Sequence, residues 1–406
     1  MRRAALVAIL ALVVAISAGP TGAARAAESV GESESLPAQP GPHWVWVSDI
    51  LLKRAALVDA DGGRFLGTLP GGVGILAPLR SRDGREIYMA ETYYARGTRG
   101  ARTDLVSIAD ALTLQSKGEV VIPPKRAEHV SWVAGSALSD DGRFVAVFNL
   151  TPATSLSIVD VAERRFVAEV ETPGCSLVYA AGPRRFLSLC ADGTALVLTL
   201  DDKGNELSKV RTERWFDPQK DPVMEKAARR GDQWFFVSFE GVVHPIDVSG
   251  ESLRFLDPWP LFSDADRAAE WRAGGMQPIA LHAATGRLHV LVHQGGADTH
   301  KDPGTEVFVY DVDKRERVQR IALRNPTASF VLGQMKMPPG GAVDWLLQRV
   351  LPNDGVERIA VTQDNAPVLL AATAFPATLS VYDARSGEFL RDVSEVGIAT
   401  NYVAAP

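Results

Sequence analysis

The residues best able to do chemistry in this 406-residue chain are its histidines and its paired acids. Four of the seven histidines fall in one stretch, His282, His289, His293 and His300. In a strand His289 and His293 would share a face, because side chains alternate with a period of two. A shared face could hold a metal, but neither spacing matches a zinc signature. Hydrogen-bonding roles at turns or at the surface account for these histidines. The acidic pairs Asp140-Asp141, Asp201-Asp202 and Asp264 with Asp266 fall in predicted turns or at a helix start, where each has a structural use. A hydrolase needs a nucleophile with a base in reach, and no Gly-x-Ser-x-Gly elbow occurs. No glycine-rich nucleotide loop follows a strand and opens a helix. Asn149-Leu150-Thr151 fits a glycosylation triplet but is followed by Pro152 and is read as chance. The two cysteines, Cys175 and Cys190, are too few for a Cys-rich metal or iron–sulfur site. The sequence therefore assigns no catalytic, metal-binding or cofactor-binding residue to this chain.

What would position such residues is a recurring unit. An apolar strand ends in Asp, a turn follows, and a second strand begins. The Asp residues are Asp59, Asp110, Asp160, Asp201, Asp247, Asp311 and Asp383. Their intervals are roughly 40 to 50 residues, the period of a propeller blade with four short strands, apart from longer ones after Asp247 and Asp311. The Asp has a local reason: its carboxylate can accept backbone N–H groups in a turn where the ladder has ended. Further turns at Arg82-Asp83-Gly84, Asp140-Asp141-Gly142, Ala191-Asp192-Gly193, Ala284-Thr285-Gly286 and Gln363-Asp364-Asn365 read as hairpins inside blades. The fold class is thus all-β, a seven-bladed β-propeller of four-stranded antiparallel blades. An open series would leave exposed edges. The strand at Trp44-Val45-Trp46-Val47 is therefore expected to close the ring by pairing with the last blade, near residues 380–400. The two long intervals hold insertions. Ser263–Trp271 carries an N-cap serine with acids in the first turn and predicts a short helix. Residues 325–354 contain Pro338-Pro339-Gly340-Gly341 and read as a loop on one propeller face.

Residues 1–26 read as a cleaved secretory signal: Arg2-Arg3, an apolar run from Ala4 to Ala18, then Ala24-Arg25-Ala26 with small residues at alternate positions. That run is shorter than a membrane span needs. Residues 27–42 are polar and acidic and read as a disordered arm, leaving 43–406 for the propeller. In an exported chain Cys175 and Cys190 would by default be paired, the alternative being two separate thiols. The net charge is −6, with no basic stripe, which argues against a nucleic-acid partner. The eight tryptophans are scattered and lack the per-blade repeat of pyrroloquinoline-quinone propellers.

Several segments, in order, resemble the heavy chain of methylamine and aromatic amine dehydrogenases. They are Gly97-Thr-Arg-Gly-Ala-Arg-Thr-Asp104, Cys175 to Cys190 with Ala191-Asp192-Gly193-Thr194, Trp271-Arg-Ala-Gly-Gly-Met-Gln277, His293-Gln294 through His300-Lys301, and Tyr382-Asp383-Ala384-Arg385-Ser386-Gly387-Glu388. The resemblance runs over nearly all of residues 44–400. It implies a non-catalytic periplasmic heavy subunit. A small Cys-rich light chain would carry tryptophan tryptophylquinone, made from two of its own tryptophans. Primary amines would be oxidised to aldehydes with release of ammonia, and electrons would pass to a small blue copper protein such as amicyanin or azurin. Two heavy and two light chains would assemble. It also implies a Cys175–Cys190 disulfide. A family Phe that follows Gly-Gly and lines the substrate channel falls here near Gly71-Gly72-Val73, making Val73 the substrate-channel candidate. The 325–354 insertion departs from the family. Two other readings remain at this point: a stand-alone secreted propeller enzyme (a lactonase or quinoprotein), which needs a polar cluster in the central channel, or a propeller used purely for binding.

Overall fold

The seven Asp-terminated strands are, in every case, the third strand of a four-stranded antiparallel blade or lie directly before its Asp. The computed structural model describes residues 35–37, 39–74, 76–128, 133–393 and 396–405; the proposed signal at 1–26 lies outside them. Blade 1 is built from Thr400–Ala404, Trp44–Asp49, Arg54–Asp59 and Arg64–Pro70. Blades 2, 3 and 4 span Leu79 to Ile122, Ser136 to Glu171 and Cys175 to Arg211. Blades 5, 6 and 7 span Val223 to Pro260, Trp271 to Ala322 and Arg358 to Val393. Each turn Asp does what its position demands. Asp110 Oδ1 accepts the N–H of Leu112 and Thr113 at 2.9 and 3.0 Å, Asp311 Oδ1 those of Asp313 and Lys314 at 3.0 Å, and Asp383 Oδ1 those of Arg385 and Ser386 at 2.9 and 2.7 Å.

Ring closure pairs Trp46 with Ala404, Val47 with Val403 and Ser48 with Tyr402. The partner strand thus lies just beyond the expected 380–400 window, because blade 7 needs its own fourth strand, Phe389–Val393, first. Between blades 7 and 1, Val45, Val47, Ala56, Val58 and Val403 pack on Leu370, Leu379 and Val381, all buried. Comparable apolar layers fill the other blade junctions, so the core is a ring of inter-blade seams. In the segment read as an arm, Leu36 donates its N–H to Leu112 O at 2.8 Å and packs beside Trp46 and Leu57.

Antiparallel strands alternate in direction, so the connections sort onto two faces. Turns between strands one and two and between strands three and four share one end, here the Asp-turn face. Turns between strands two and three, and the links from one blade to the next, share the other, here the connection face. Asp192-Gly193 turns out to join strands two and three of blade 4, unlike the other hairpin turns named above, which join strands one and two. The insertions lie on the connection face. Helix α1 (Asp264–Ala268) forms as expected, with Ser263 and Asp266 capping each other reciprocally. Residues 325–354 do not form the expected loop. They fold as two helices, α2 (Pro326–Gln334) and α3 (Ala342–Val350), around the Pro-Pro-Gly-Gly turn. Asn325 starts α2 by accepting from Thr327 and Ala328 N–H at 3.0 and 3.3 Å, with Pro326 at the first helical position, where no donor is needed.

Candidate functional site

Blade 2 differs from its neighbours in its middle hairpin. Strands Glu86–Arg96 and Arg99–Asp110 run for 11 and 12 residues, so the tip stands clear of the connection face. Arg96 and Arg99 sit opposite each other on this exposed tip. At its base lies a buried charged network. Asp104, fully buried, accepts from Arg102 Nε and Nη2 at 2.9 and 2.8 Å, from Thr92 Oγ1 at 2.9 Å and from the Arg126 N–H at 2.7 Å. Arg102 also donates to Arg126 O at 2.6 Å and meets Glu128 at 3.4 Å, and Tyr94 donates its hydroxyl to Glu128.

That network grips the Gly71-Gly72-Val73 loop joining blades 1 and 2. Val73 N–H donates to Thr92 O at 2.7 Å, and Val73 O accepts from Arg126 Nη1 at 3.1 Å. The preceding Gly72 N–H donates to Glu91 Oε1 at 3.1 Å. A side chain on Gly72 would meet Thr92 O at 2.1 Å, so the close approach itself requires glycine. Burial raises the Glu91 carboxyl above its usual range, against the opposing effects of Ser107, Tyr93, the Gly72 amide and Arg126. Val73 itself is half-buried. The candidate position thus has a fixed backbone and a side chain at the surface, an arrangement suited to shaping an opening and not to performing acid–base chemistry. Sequence reasoning missed Glu91, Arg126 and Glu128. Their signal was charge placed where strand and blade-link patterns call for apolar residues.

Cys175 and Cys190 are joined by a disulfide with Cα atoms 3.9 Å apart. They face each other in register at the connection-face end of blade 4's first two strands. On the same face Gln277 straps three blades, donating to Ile359 O and Val403 O at 3.1 and 2.6 Å and accepting from Val403 N–H at 3.2 Å.

The four histidines separate. His289 and His293 do lie on one side of a strand, flanking Leu291, but four residues of strand put them roughly 13 Å apart. His282 bonds Thr285 Oγ1 at 2.7 Å and Asp364 O at 3.0 Å, tying the turns of blades 6 and 7. His289 is buried, with Nδ1 3.2 Å from Arg287 O; burial chiefly drives its pKa down to about 4. His293 Nε2 meets Thr299 Oγ1 at 2.8 Å, and His300 stacks on Phe239 at 3.7 Å. Among the described residues no three His, Cys, Asp or Glu side chains are grouped to hold a metal ion. The acidic pairs are structural: Asp140 binds Arg229 at 2.7 Å and Asp266 binds Arg317 at 2.8 Å. At the inner strands Glu225 and Glu357 are each ion-paired with the next residue, Lys226 and Arg358. None of the described helices is long and apolar enough to cross a membrane.

Comparison with known proteins bears on what this surface serves. The sequence profile of the methylamine dehydrogenase heavy chain family matches residues 49–346. The methylamine dehydrogenase heavy chain of Methylophilus methylotrophus is 26% identical over 348 residues, covering 85% of this chain and 78% of that one. That of Paracoccus versutus is 27% identical, covering 84% and 73%. Among solved structures, a functionally unknown protein from Desulfotomaculum acetoxidans superposes with a TM-score of 0.57 at 12% identity, covering 89% of this chain and 98% of that one. The Cps50 propeller domain of Myceliophteria thermophila gives 0.55 at 10% identity, covering 90% and 100%. At such identities these two speak to the fold alone.

Proposed function

This chain belongs to the methylamine dehydrogenase heavy chain family, and from that premise we propose that it is the non-catalytic subunit of a periplasmic amine dehydrogenase. A heavy chain of this family implies a light-chain partner in an oligomer. In this reading two heavy and two light chains assemble, and the light chain sits on the connection face with its reactive centre facing Val73.

The cofactor belongs to the partner. In this reading tryptophan tryptophylquinone is built from two tryptophans of the light chain. When present on the light chain, that quinone supplies the oxidation of a primary amine to aldehyde and ammonia. This chain's residues do something else. Glu91, Thr92 and Arg126 fix the Val73 backbone, and the Val73 side chain sets the width of the channel mouth, wider than a Phe would leave it. Arg96 and Arg99 offer positive charge to an acidic neighbour, which suits either the light chain or a copper protein that accepts the electrons.

The observation that carries the reading is the family match across 49–346, together with a charged network that fixes the Val73 loop. Export of the chain with a light chain and its maturation partners tests it. The light chain should co-purify, visible quinone absorbance and amine-dependent dye reduction should track it, and the heavy chain alone should be colourless and inactive. Full-rate amine oxidation by the isolated heavy chain would refute the reading.

A further inference from the structure

Helix α3 is packed inside out. Asp344 faces the protein, buried, and accepts from Arg324 Nη2 at 2.6 Å, Gly340 N–H at 2.6 Å and Gln348 Nε2 at 3.2 Å. Gln348 in turn accepts from Asn325 N–H at 2.9 Å. The opposite side presents Val343, Leu346 and Val350, three and four residues apart, 37, 50 and 54% exposed. A surface helix with nothing to cover it has the reverse arrangement.

The neighbouring surface is of the same kind. Between α2, the Phe375-Pro376 turn of blade 7 and the link from blade 7 to blade 1 lies an open groove of about 730 Å³. Phe375 and Ile398 stand at its border, 69 and 53% exposed, and Lys336 and Asp392 are the charged residues on its described walls. The apolar surface then continues along the backbone. Asp49 accepts the N–H groups of Ile398 and Ala399, and directly after it come the exposed Ile50, Leu51 and Leu52. Lys53 O next accepts the Gly71 N–H at 2.9 Å, which leads to Val73.

We propose that the α3 stripe, the groove and the Ile50–Leu52 turn form a docking surface for an apolar segment of the light chain. The inference rests on the heavy-chain reading and deepens it by giving the partner's footprint. Continuity decides the occupant: a subunit seated over Val73 lies beside Ile50–Leu52 and Ile398 as well, whatever else it touches. The described ends of the ring lie away from this surface: Leu36 bonds Leu112 on the Asp-turn face, and the closing strand runs away from Thr400 toward that same face. The near absence of charge calls for an apolar contact, and apolar exposure of this extent marks an interface. A lasting interface needs about 800 Å² from each partner, more than the Val73 loop alone offers.

The test co-purifies the light chain with the full heavy chain carrying Leu346→Glu with Val350→Glu, or Phe375→Glu with Ile398→Glu. Val210→Glu, exposed on the outer strand of blade 4, is the control. All substituted side chains are exposed, so melting temperatures should match the parent and separate folding from docking. Both double variants should bind the light chain more weakly by on the order of 30-fold, the scale of a lost hot-spot contact, while the control binds normally. Undiminished light-chain binding overturns the proposal, as does loss of heavy-chain self-association with the light chain retained, which would give the surface to a second copy. If the parent chain itself captures no light chain, the heavy-chain reading falls, and the footprint with it.

Discussion

Replacing Asp104 with Ala tests whether the blade 2 network holds the Val73 loop in place. The carboxylate is fully buried and accepts four hydrogen bonds, two of them from Arg102 and one from the backbone of Arg126. Removing one partner of a buried ion pair costs about 3–5 kcal/mol, because the remaining charge keeps its desolvation penalty. The ring closes on itself and should unfold as a unit. With an unfolding entropy of about 2.1 cal/mol/K per residue over roughly 370 residues, the melting temperature should fall by about 4–6 °C. Calorimetry on the isolated heavy chain reads this directly. Asp104→Asn keeps the shape and should lose less. In the assembled enzyme the same substitution should raise KM for amine more than it lowers kcat, since it disturbs a loop and no reacting group. A melting temperature within about 1 °C of the parent for Asp104→Ala would refute the energetic argument.

Other expectations follow from the same geometry. Gly72→Ala forces a methyl against Thr92 O and should shift the Val73 loop, raising KM in steady-state assays, whereas Gly71→Ala meets only the flexible end of Leu76 and should be milder. Val73→Phe should narrow the opening and raise KM for phenyl-bearing amines more than for short alkyl amines, measured on the assembled enzyme. Replacing Cys175 and Cys190 by Ala should cost about 3 kcal/mol, the chain-entropy value for a loop of about 15 residues, read by denaturant titration, with turnover per bound light chain unchanged. His289 has a folded pKa of about 4, below its ordinary 6.5. Its contribution is therefore complete above pH 6.5 and is lost as pH falls toward 4, by about 3 kcal/mol at 1.4 kcal/mol per pH unit. His289→Gln should flatten stability across that window.

The propeller was legible because its signal is local. A strand that ends needs an acceptor for the next backbone N–H groups, and Asp supplies it within two or three residues in each blade. The α1 cap was legible for the same reason, with Ser263 and Asp266 three residues apart. The insertion was not. Pro-Pro-Gly-Gly suggested a loop, Gly341 at the start of α3 provides no side-chain cap, and the helical spacing of Val343, Leu346 and Val350 is confined to a nine-residue helix. Val73 is a candidate through the family resemblance alone, and its loop's anchors Glu91 and Arg126 were not legible: they are brought in by blade pairing from 19 and 53 residues away, a distance at which no local pattern operates.

The most direct measurement is hydrogen–deuterium exchange on the heavy chain with and without its light chain. The account predicts slowed exchange at residues 71–74, at the 95–101 hairpin tip, at 50–53 and across 326–350, with the Asp turns at Asp110, Asp160 and Asp311 unchanged. Protection at those Asp turns with the connection face unaffected would contradict it.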